Sequence, residues 1–114
     1  MTTPPSHPEP GTTLTVTTVF TTTEQHQQHL FALLGTNARD VLENTPGFLG
    51  STLTRCDDRI HVIHHARWRD NTALTAMLAT PAAQTSMAAV REISTAHVYR
   101  ASHINQFAPA HTTI

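Results

Sequence analysis

The hydrophobic pattern of the chain switches between a period of two residues and a period near that of an α-helix, and the order of these segments restricts the fold more than any other feature. The first segment has period two and is rich in β-branched residues, which predicts a strand over residues 14–21. Helical spacing then predicts a helix from about Glu24 to Asn44, with Thr23 as its N-cap and Pro46-Gly47 at its end.

The second half of the chain repeats the change of period. Two β-branched runs, Phe48–Arg55 and Arg59–Trp68, are joined by a short polar link that predicts a hairpin. A second helical region starts at Asp70-Asn71 and is split at Thr80-Pro81, and His97–Asn105 forms the last predicted strand. The order β-α-β-β-α-β predicts a ferredoxin-like α+β domain, with helices on one face of an antiparallel sheet.

The chain has 114 residues, which is enough for one domain with one core. Residues 1–11 hold four prolines and a glycine without periodicity and are predicted to be a disordered leader. The domain is assigned to residues 12–105, and residues 106–114 form a C-terminal tail. Charged residues make up only 13% of the chain, and this low fraction favours a homodimer in which part of the surface is covered.

The composition argues against several classes of protein. Seven basic and eight acidic residues give no basic field for nucleic acid. No apolar run approaches the ~20 residues needed to cross a membrane, and the N-terminus lacks the pattern of a signal peptide, so a cytoplasmic protein is expected. The single cysteine, Cys56, excludes an intramolecular disulfide framework and a cysteine-based zinc cluster.

The strand ending at Trp68 has two different faces. One carries Ile60, Val62, His64, Ala66 and Trp68 and is the more apolar, so it is predicted to lie under the helices. The other carries His61, Ile63, His65 and Arg67 and suits a dimer interface between two sheets. Because neighbouring strand residues point to opposite faces, the three histidines do not converge, and no metal site is expected.

Two segments resemble the antibiotic biosynthesis monooxygenase family of small dimeric ferredoxin-like proteins. They are Thr45–Ser51, which closes a helix and opens a strand, and Ala66–Asp70, which ends a strand at a tryptophan before a helix. The resemblance covers roughly residues 12–105. It implies a pocket between the helices and the sheet, and dimerisation through the other sheet face. In polyketide-tailoring members, cofactor-free oxygenation converts a phenol or anthrone ring to a quinone, so dioxygen and a small apolar aromatic substrate are implied, with no cofactor.

The resemblance also implies which residues act. Such oxygenases carry an asparagine four residues before the tryptophan, where this chain has His64, and Trp68 is retained. His64 is therefore predicted to be the catalytic acid–base or hydrogen-bonding group, and Trp68 a catalytic wall that can donate to the substrate oxygen. The predicted substrate-binding residues are Val62, Leu74, Met77, Met87 and Tyr99. The assignment of Tyr99 requires that its face of the last strand meets the helices, and the sequence does not show which face does.

Three functions stay open at this point. The first is the cofactor-independent monooxygenase, and the second is a polyketide cyclase or isomerase in which His64 moves protons without oxygen. The third is a non-catalytic protein that binds a small molecule. His64 and Trp68 also have a purely structural interpretation as core residues, and Arg91 is predicted to be exposed rather than to bind an anion.

Overall fold

The computed structural model describes residues 13–110. The predicted leader therefore lies outside the described residues, as do residues 111–114 of the predicted tail. Residues 102–110 have no regular secondary structure. The described elements follow the predicted order and are β1 (Leu14–Thr21), α1 (Gln27–Asp40), a short 3-10 helix (Leu42–Asn44), β2 (Phe48–Arg55), β3 (His61–Trp68), α2 (Asn71–Leu78), α3 (Pro81–Arg91) and β4 (Thr95–Ala101).

The four strands form one antiparallel sheet in the order β2-β3-β1-β4. The two central strands, β3 and β1, are therefore not neighbours in sequence, and α1 and β2 lie between them along the chain. The fold is the α+β ferredoxin-like arrangement that the sequence predicts. Among the described helices, none is long and apolar enough to cross a membrane.

The start of the first helix was predicted wrongly. The helix begins at Gln27 and not at Glu24, and its N-cap is His26. The hydroxyl of Thr23 pairs with the ring nitrogen Nδ1 of His26 at 3.0 Å, so Thr23 is not the predicted cap. Residues 24–26 form a turn instead. The regular helix also ends at Asp40, and the chain then tightens into the 3-10 helix.

The split of the second helical region is confirmed, and side-chain caps explain it. The Asp70 carboxylate accepts a hydrogen bond from the backbone N–H of Ala73 at 2.9 Å and caps α2. The Thr80 hydroxyl accepts one from the N–H of Ala83 at 3.2 Å and caps α3, in which Pro81 is the first residue. Pro81 therefore starts a new helix at the point where the previous one ends.

The last strand is shorter and earlier than predicted. It runs from Thr95 to Ala101 and pairs with β1 along its whole length. Thr21 pairs with Thr95 at one end and Thr15 with Ala101 at the other. Residues beyond Ala101 have no neighbouring strand to pair with, and the predicted extension to Asn105 is wrong.

The inner face of β3 was predicted correctly. Val62, Ala66 and Trp68 are buried there beneath the helices. Val62 belongs to one hydrophobic cluster, with Leu30 of α1, and Ala66 and Trp68 belong to a second. His64 lies between the two clusters on the same face of the strand, and the candidate site opens at this position.

Candidate active site

A cleft of about 840 Å³ lies between the inner face of the sheet and the three α-helices. Most of its lining is apolar, including residues from both hydrophobic clusters. Its volume lies within the range of small-molecule sites, which are typically apolar concavities with a few placed polar groups. The cleft is therefore the candidate binding site of the molecule.

The residues that line this cleft include five of the seven predicted site residues. These are His64, Trp68, Leu74, Met77 and Met87. They come from β3, α2 and α3, so the pairing of the sheet and the packing of two helices bring them together. Met87 is partly exposed at 38%, which places it toward the open side of the cleft.

Val62 does not line the cleft. It is on the predicted face of β3 but has no exposed surface, because it packs in a cluster with Phe20, Leu30, Leu34 and Val90. The prediction that Val62 contacts a ligand is therefore wrong for this structure. A position on the right face of a strand can still lie beneath a helix instead of beside a cavity.

Tyr99 lies on the opposite face of the sheet. Its cross-strand partner is Thr17, whose hydroxyl bonds to Nδ1 of His65 on that face at 2.7 Å. Tyr99 is 60% exposed, and its neighbours Val98 and Arg100 line the cleft instead. The prediction that Tyr99 joins the pocket is wrong, because the register of β4 on β1 turns the even-numbered residues inward.

His64 lines the cleft and has a ring nitrogen without a partner in the described residues. Its ring atom Nε2 is buried and has no hydrogen-bond partner within residues 13–110. Burial lowers the pKa of His64 below the ordinary value of 6.5, and repulsion from the neighbouring His65 lowers this pKa further. The imidazole is therefore neutral near pH 7, and a neutral imidazole can accept a proton from a bound molecule.

Trp68 serves both as a core residue and as a wall of the cleft. Only 1% of its surface is exposed, and its ring meets that of Phe48 edge to face with centroids 5.3 Å apart. Leu14 is its cross-strand partner on β1. These contacts fix the plane of the indole, so the cleft has a rigid aromatic wall four residues along the strand from His64.

The chain is similar to known proteins in sequence and in fold. The profile of the family described as "Antibiotic biosynthesis monooxygenase" matches residues 13–89, more than half of the chain. The chain belongs to this family. The search of curated proteins finds no match.

Solved structures agree with the family assignment. SnoaB from Streptomyces nogalater, described as a cofactor-independent oxygenase, is 25% identical and has a TM-score of 0.70, with 86% of this chain and 98% of that chain covered. Rv0793 from Mycobacterium tuberculosis is 19% identical with a TM-score of 0.73, covering 84% and 99%. The protein SO0527 from Shewanella oneidensis is 19% identical with a TM-score of 0.71, covering 80% and 90%. The last two similarities support the fold alone.

Asn37 of α1 was not predicted from the sequence as a site residue, and it also lines the cleft. Its Oδ1 atom is buried and lacks a hydrogen-bond partner in the described part of the chain. A signal was present in the sequence, because Asn37 follows Leu30 and Leu34 at helical spacing on the buried stripe of α1. A polar residue on such a stripe indicates a partner outside the helix.

Two arginines that line the cleft were not assigned to it from the sequence. Arg91 is in the last turn of α3 and is exposed as predicted, but it also borders the cleft. Arg100 extends from β4, and its Nη1 donates a hydrogen bond to Oδ1 of Asn71 at 2.8 Å. No spacing signal marked Arg100, because its position depends on the register of β4.

Within residues 13–110, the side chains form no group of three or more histidine, cysteine, aspartate or glutamate residues that could hold a metal ion. His61 pairs instead with Asp58 in the hairpin turn, and His65 pairs with Thr17. The residues that line the cleft carry one imidazole, one indole N–H, one amide, four hydroxyls and two guanidinium groups.

Proposed function

We propose that the protein is a cofactor-independent monooxygenase of secondary metabolism that oxidises a small aromatic substrate of the phenol or anthrone type. The observation that carries the proposal is that His64, whose buried Nε2 has no hydrogen-bond partner within residues 13–110, lines an apolar cleft beside Trp68. The similarity to SnoaB, itself described as a cofactor-independent oxygenase, supports the same reaction class.

His64 would start the reaction by taking a proton from the substrate. An anthrone has an acidic ring CH₂ group, and transfer of one of its protons to Nε2 leaves a delocalised anion and an imidazolium. The anion then passes one electron to dioxygen, and the two radicals combine to form a peroxide anion on the ring carbon. The imidazolium returns its proton to the distal peroxide oxygen.

The second half of the reaction releases water. His64 removes the remaining hydrogen of the same carbon as the O–O bond breaks, and the hydroxide that leaves takes the proton back. One oxygen atom of dioxygen becomes the new carbonyl oxygen, and the other leaves as water. The two hydrogens of that water are the two hydrogens of the CH₂ group, so the reaction balances. The substrate supplies all the electrons, and the chain supplies position and a proton carrier.

The walls of the cleft suit this chemistry. Trp68, Leu74 and Met77 offer flat or adaptable apolar contacts for a fused ring. An apolar surround excludes water from the peroxide and keeps the electrostatic interactions of the anion strong. Asn37 lines the cleft, and its Oδ1 lacks a partner in the described residues; in this proposal it accepts a hydrogen bond from a ring hydroxyl and so orients the substrate.

The test is dioxygen uptake on an anthrone probe, 1,8-dihydroxyanthrone, with the rate of spontaneous oxidation subtracted. We expect uptake by the unaltered protein and a loss of at least about 100-fold in His64→Ala, the usual effect of removing an acid–base group. The matched control is His29→Ala, which removes an exposed histidine of α1 and should leave the rate unchanged.

Two results would contradict the proposal. Conversion of a polyketide-type substrate without dioxygen uptake would assign the site to the cyclase or isomerase alternative. Binding of the probe with no conversion, unchanged in His64→Ala, would assign it to a small-molecule-binding protein.

A further inference from the structure

A second, smaller cavity of about 220 Å³ lies between α1 and α3, and we call it the interhelical groove. Two residues, Asn37 of α1 and Ser86 of α3, line both this groove and the cleft. We propose that the interhelical groove is a second opening of the cleft and admits dioxygen to the bound substrate. The inference rests on the proposed function for the identity of the gas, and it adds the route by which that gas arrives.

The interhelical groove exists because small side chains line both of its walls. Ala32 belongs to the wall formed by α1, and Ala89 belongs to the wall formed by α3, with Ser86 one turn earlier on the same helix. Leu34 and Val90, from the same two helices, are instead buried in a hydrophobic cluster and line the cleft. The two helices are therefore in contact through their larger side chains, and the short ones leave space between them.

The lining of the interhelical groove suits a small apolar molecule. Along α1 it extends from His29 to Asp40, about 16 Å of helix, with polar side chains at the two ends. Ala32 and Leu33 lie between these ends, and most of the exposed lining is apolar. Apolar cavities favour apolar gases over water, and an engineered cavity of ~150 Å³ in another protein binds xenon. Dioxygen is also small and apolar, so this groove can take it up.

The junction between the groove and the cleft is formed by one amide and one hydroxyl group. The Oδ1 atom of Asn37 is buried and has no hydrogen-bond partner within residues 13–110. This amide oxygen therefore makes no hydrogen bond to Ser86 that would close the junction. In the proposed function the same oxygen accepts a hydrogen bond from a ring hydroxyl, so a gas molecule that passes the junction meets the bound ring.

A second opening has a purpose because the substrate covers the first. The open side of the cleft lies between α3 and β4, where Met87 is 38% exposed and Val98 is 57% exposed. A flat substrate that enters there covers this side once it is bound. Dioxygen reacts only after the substrate has lost a proton to His64, so it must reach a cleft that is already occupied. The interhelical groove gives it a path that the substrate does not block.

The test narrows the groove without altering the cleft. Ala89 and Ala32 line the groove and not the cleft, so Ala89→Leu fills the groove from α3 and Ala32→Leu fills it from α1. With 1,8-dihydroxyanthrone as substrate, we expect KM for dioxygen to rise about threefold or more in both variants, since filling the groove leaves only the covered side. The values of kcat and of KM for the anthrone should not change, because the cleft keeps its lining.

The matched control is Ala88→Leu, the same substitution at the preceding residue of α3. Ala88 is exposed and lines neither the groove nor the cleft, so all the kinetic constants should stay those of the unaltered protein. Circular dichroism and urea denaturation verify that each variant is folded. If the leucine at position 89 prevents folding, Ala32→Leu still provides the test, because Ala32 is exposed and its substitution leaves the core unchanged.

Xenon provides a measurement that does not need turnover. Crystals of the unaltered protein under xenon pressure should contain xenon in the interhelical groove beside Asn37 and Ser86. Crystals of Ala89→Leu or Ala32→Leu should lack xenon at this position, and crystals of Ala88→Leu should retain it.

An unchanged KM for dioxygen in the folded groove variants would overturn the inference, and so would an equal rise in Ala88→Leu or the absence of xenon from the groove. These results are distinct from failure of the proposed function. His64-dependent uptake with an unchanged KM would leave an oxygenase that receives dioxygen through the open side of the cleft. Xenon in the groove without any dioxygen uptake would contradict the proposed function, and with it the assignment of dioxygen as the gas.

Discussion

His64 combines two properties that a core histidine does not need: a buried ring nitrogen without a partner in the described residues, and an opening to a cleft. Burying an unsatisfied polar group costs about 1–3 kcal/mol. A purely structural role would favour an apolar residue between the two hydrophobic clusters, since that would remove the cost. A ligand that hydrogen-bonds to Nε2 offsets it, and this difference favours the functional interpretation of His64.

The pKa of His64 predicts how activity depends on pH. Because burial lowers this pKa below the ordinary 6.5, the neutral, proton-accepting form should persist into mildly acidic solution. We expect kcat/KM for dioxygen uptake to stay level as the pH falls through 6.5 and to decrease only below it. The measurement is a pH profile at constant ionic strength, corrected for spontaneous oxidation. A decrease centred at or above 6.5 would contradict the assignment of His64 as the base.

The lowered pKa of His64 also predicts how the free energy of unfolding depends on pH. The folded pKa is lower than the unfolded one, so the unfolded chain binds the proton more tightly. The contribution of His64 to stability is therefore complete above 6.5 and is lost as the pH falls through the folded pKa. His64→Gln should show a weaker decrease in the free energy of unfolding over that acidic range than the unaltered protein, measured by urea denaturation.

At the scale of elements, the turn that leads into β2 packs directly against α2. Gly47 has a φ of +87°, and a Cβ atom there would collide with the Cβ of Ala73. The carbonyl of Gly47 also accepts a hydrogen bond from the N–H of Arg69 at 2.7 Å, which ties this turn to the end of β3. Glycine at this position therefore permits both the backbone conformation and the close approach of the helix.

Because only Gly47 makes such a close contact, substitution by alanine should have opposite effects on stability at Gly47 and at Gly35. Gly47→Ala should lower the free energy of unfolding by roughly 2–4 kcal/mol, since it adds backbone strain and a steric collision. Gly35→Ala is the matched control, because it lies within α1 and its Cβ would meet nothing closer than an arginine nitrogen at 3.7 Å. Chemical denaturation should show Gly35→Ala to be as stable as the unaltered protein or about 0.5–1 kcal/mol more stable. Equal stability of the two variants would contradict the packing described here.

At the scale of the whole molecule, the sheet has one face under the helices and one face turned away from them. The second face carries the Thr17–His65 pair and the exposed Tyr99. Open sheet faces with large exposed side chains typically mark sites of association. We propose that two copies of the chain pack through this face.

If two copies pack through this face, a charge introduced there should lower the mass of the protein in solution from that of a dimer toward that of a monomer. The unaltered protein should sediment as a dimer at micromolar concentration, and Tyr99→Glu should shift it toward the monomer, because the new carboxylate would have to be buried unpaired. Gln28→Glu, on the exposed side of α1, adds the same charge elsewhere and should remain dimeric. Analytical ultracentrifugation measures all three proteins, and a monomeric unaltered protein would disprove the dimer.

Local patterns in the sequence are sufficient to predict the order of the elements and the inner face of β3. Both follow from local patterns: the change of hydrophobic period, the cap at Asp70, the break at Thr80-Pro81, and the alternation that ends at Trp68. Each pattern predicts an element that is formed by the same residues or by their immediate neighbours, so no distant part of the chain is needed to interpret it.

The tertiary structure alone decided which polar groups meet in the cleft. Both faces of β4 mix polar and apolar side chains, so only its register on β1 placed Arg100 inward and Tyr99 outward. Likewise, Val62 is a core residue and not part of the cavity wall because α1 covers it, and the sequence around Val62 does not show this contact. Strand pairing and helix packing bring together residues that are far apart in sequence. When the two faces of a strand have similar side chains, their pattern does not show which face turns toward the helices.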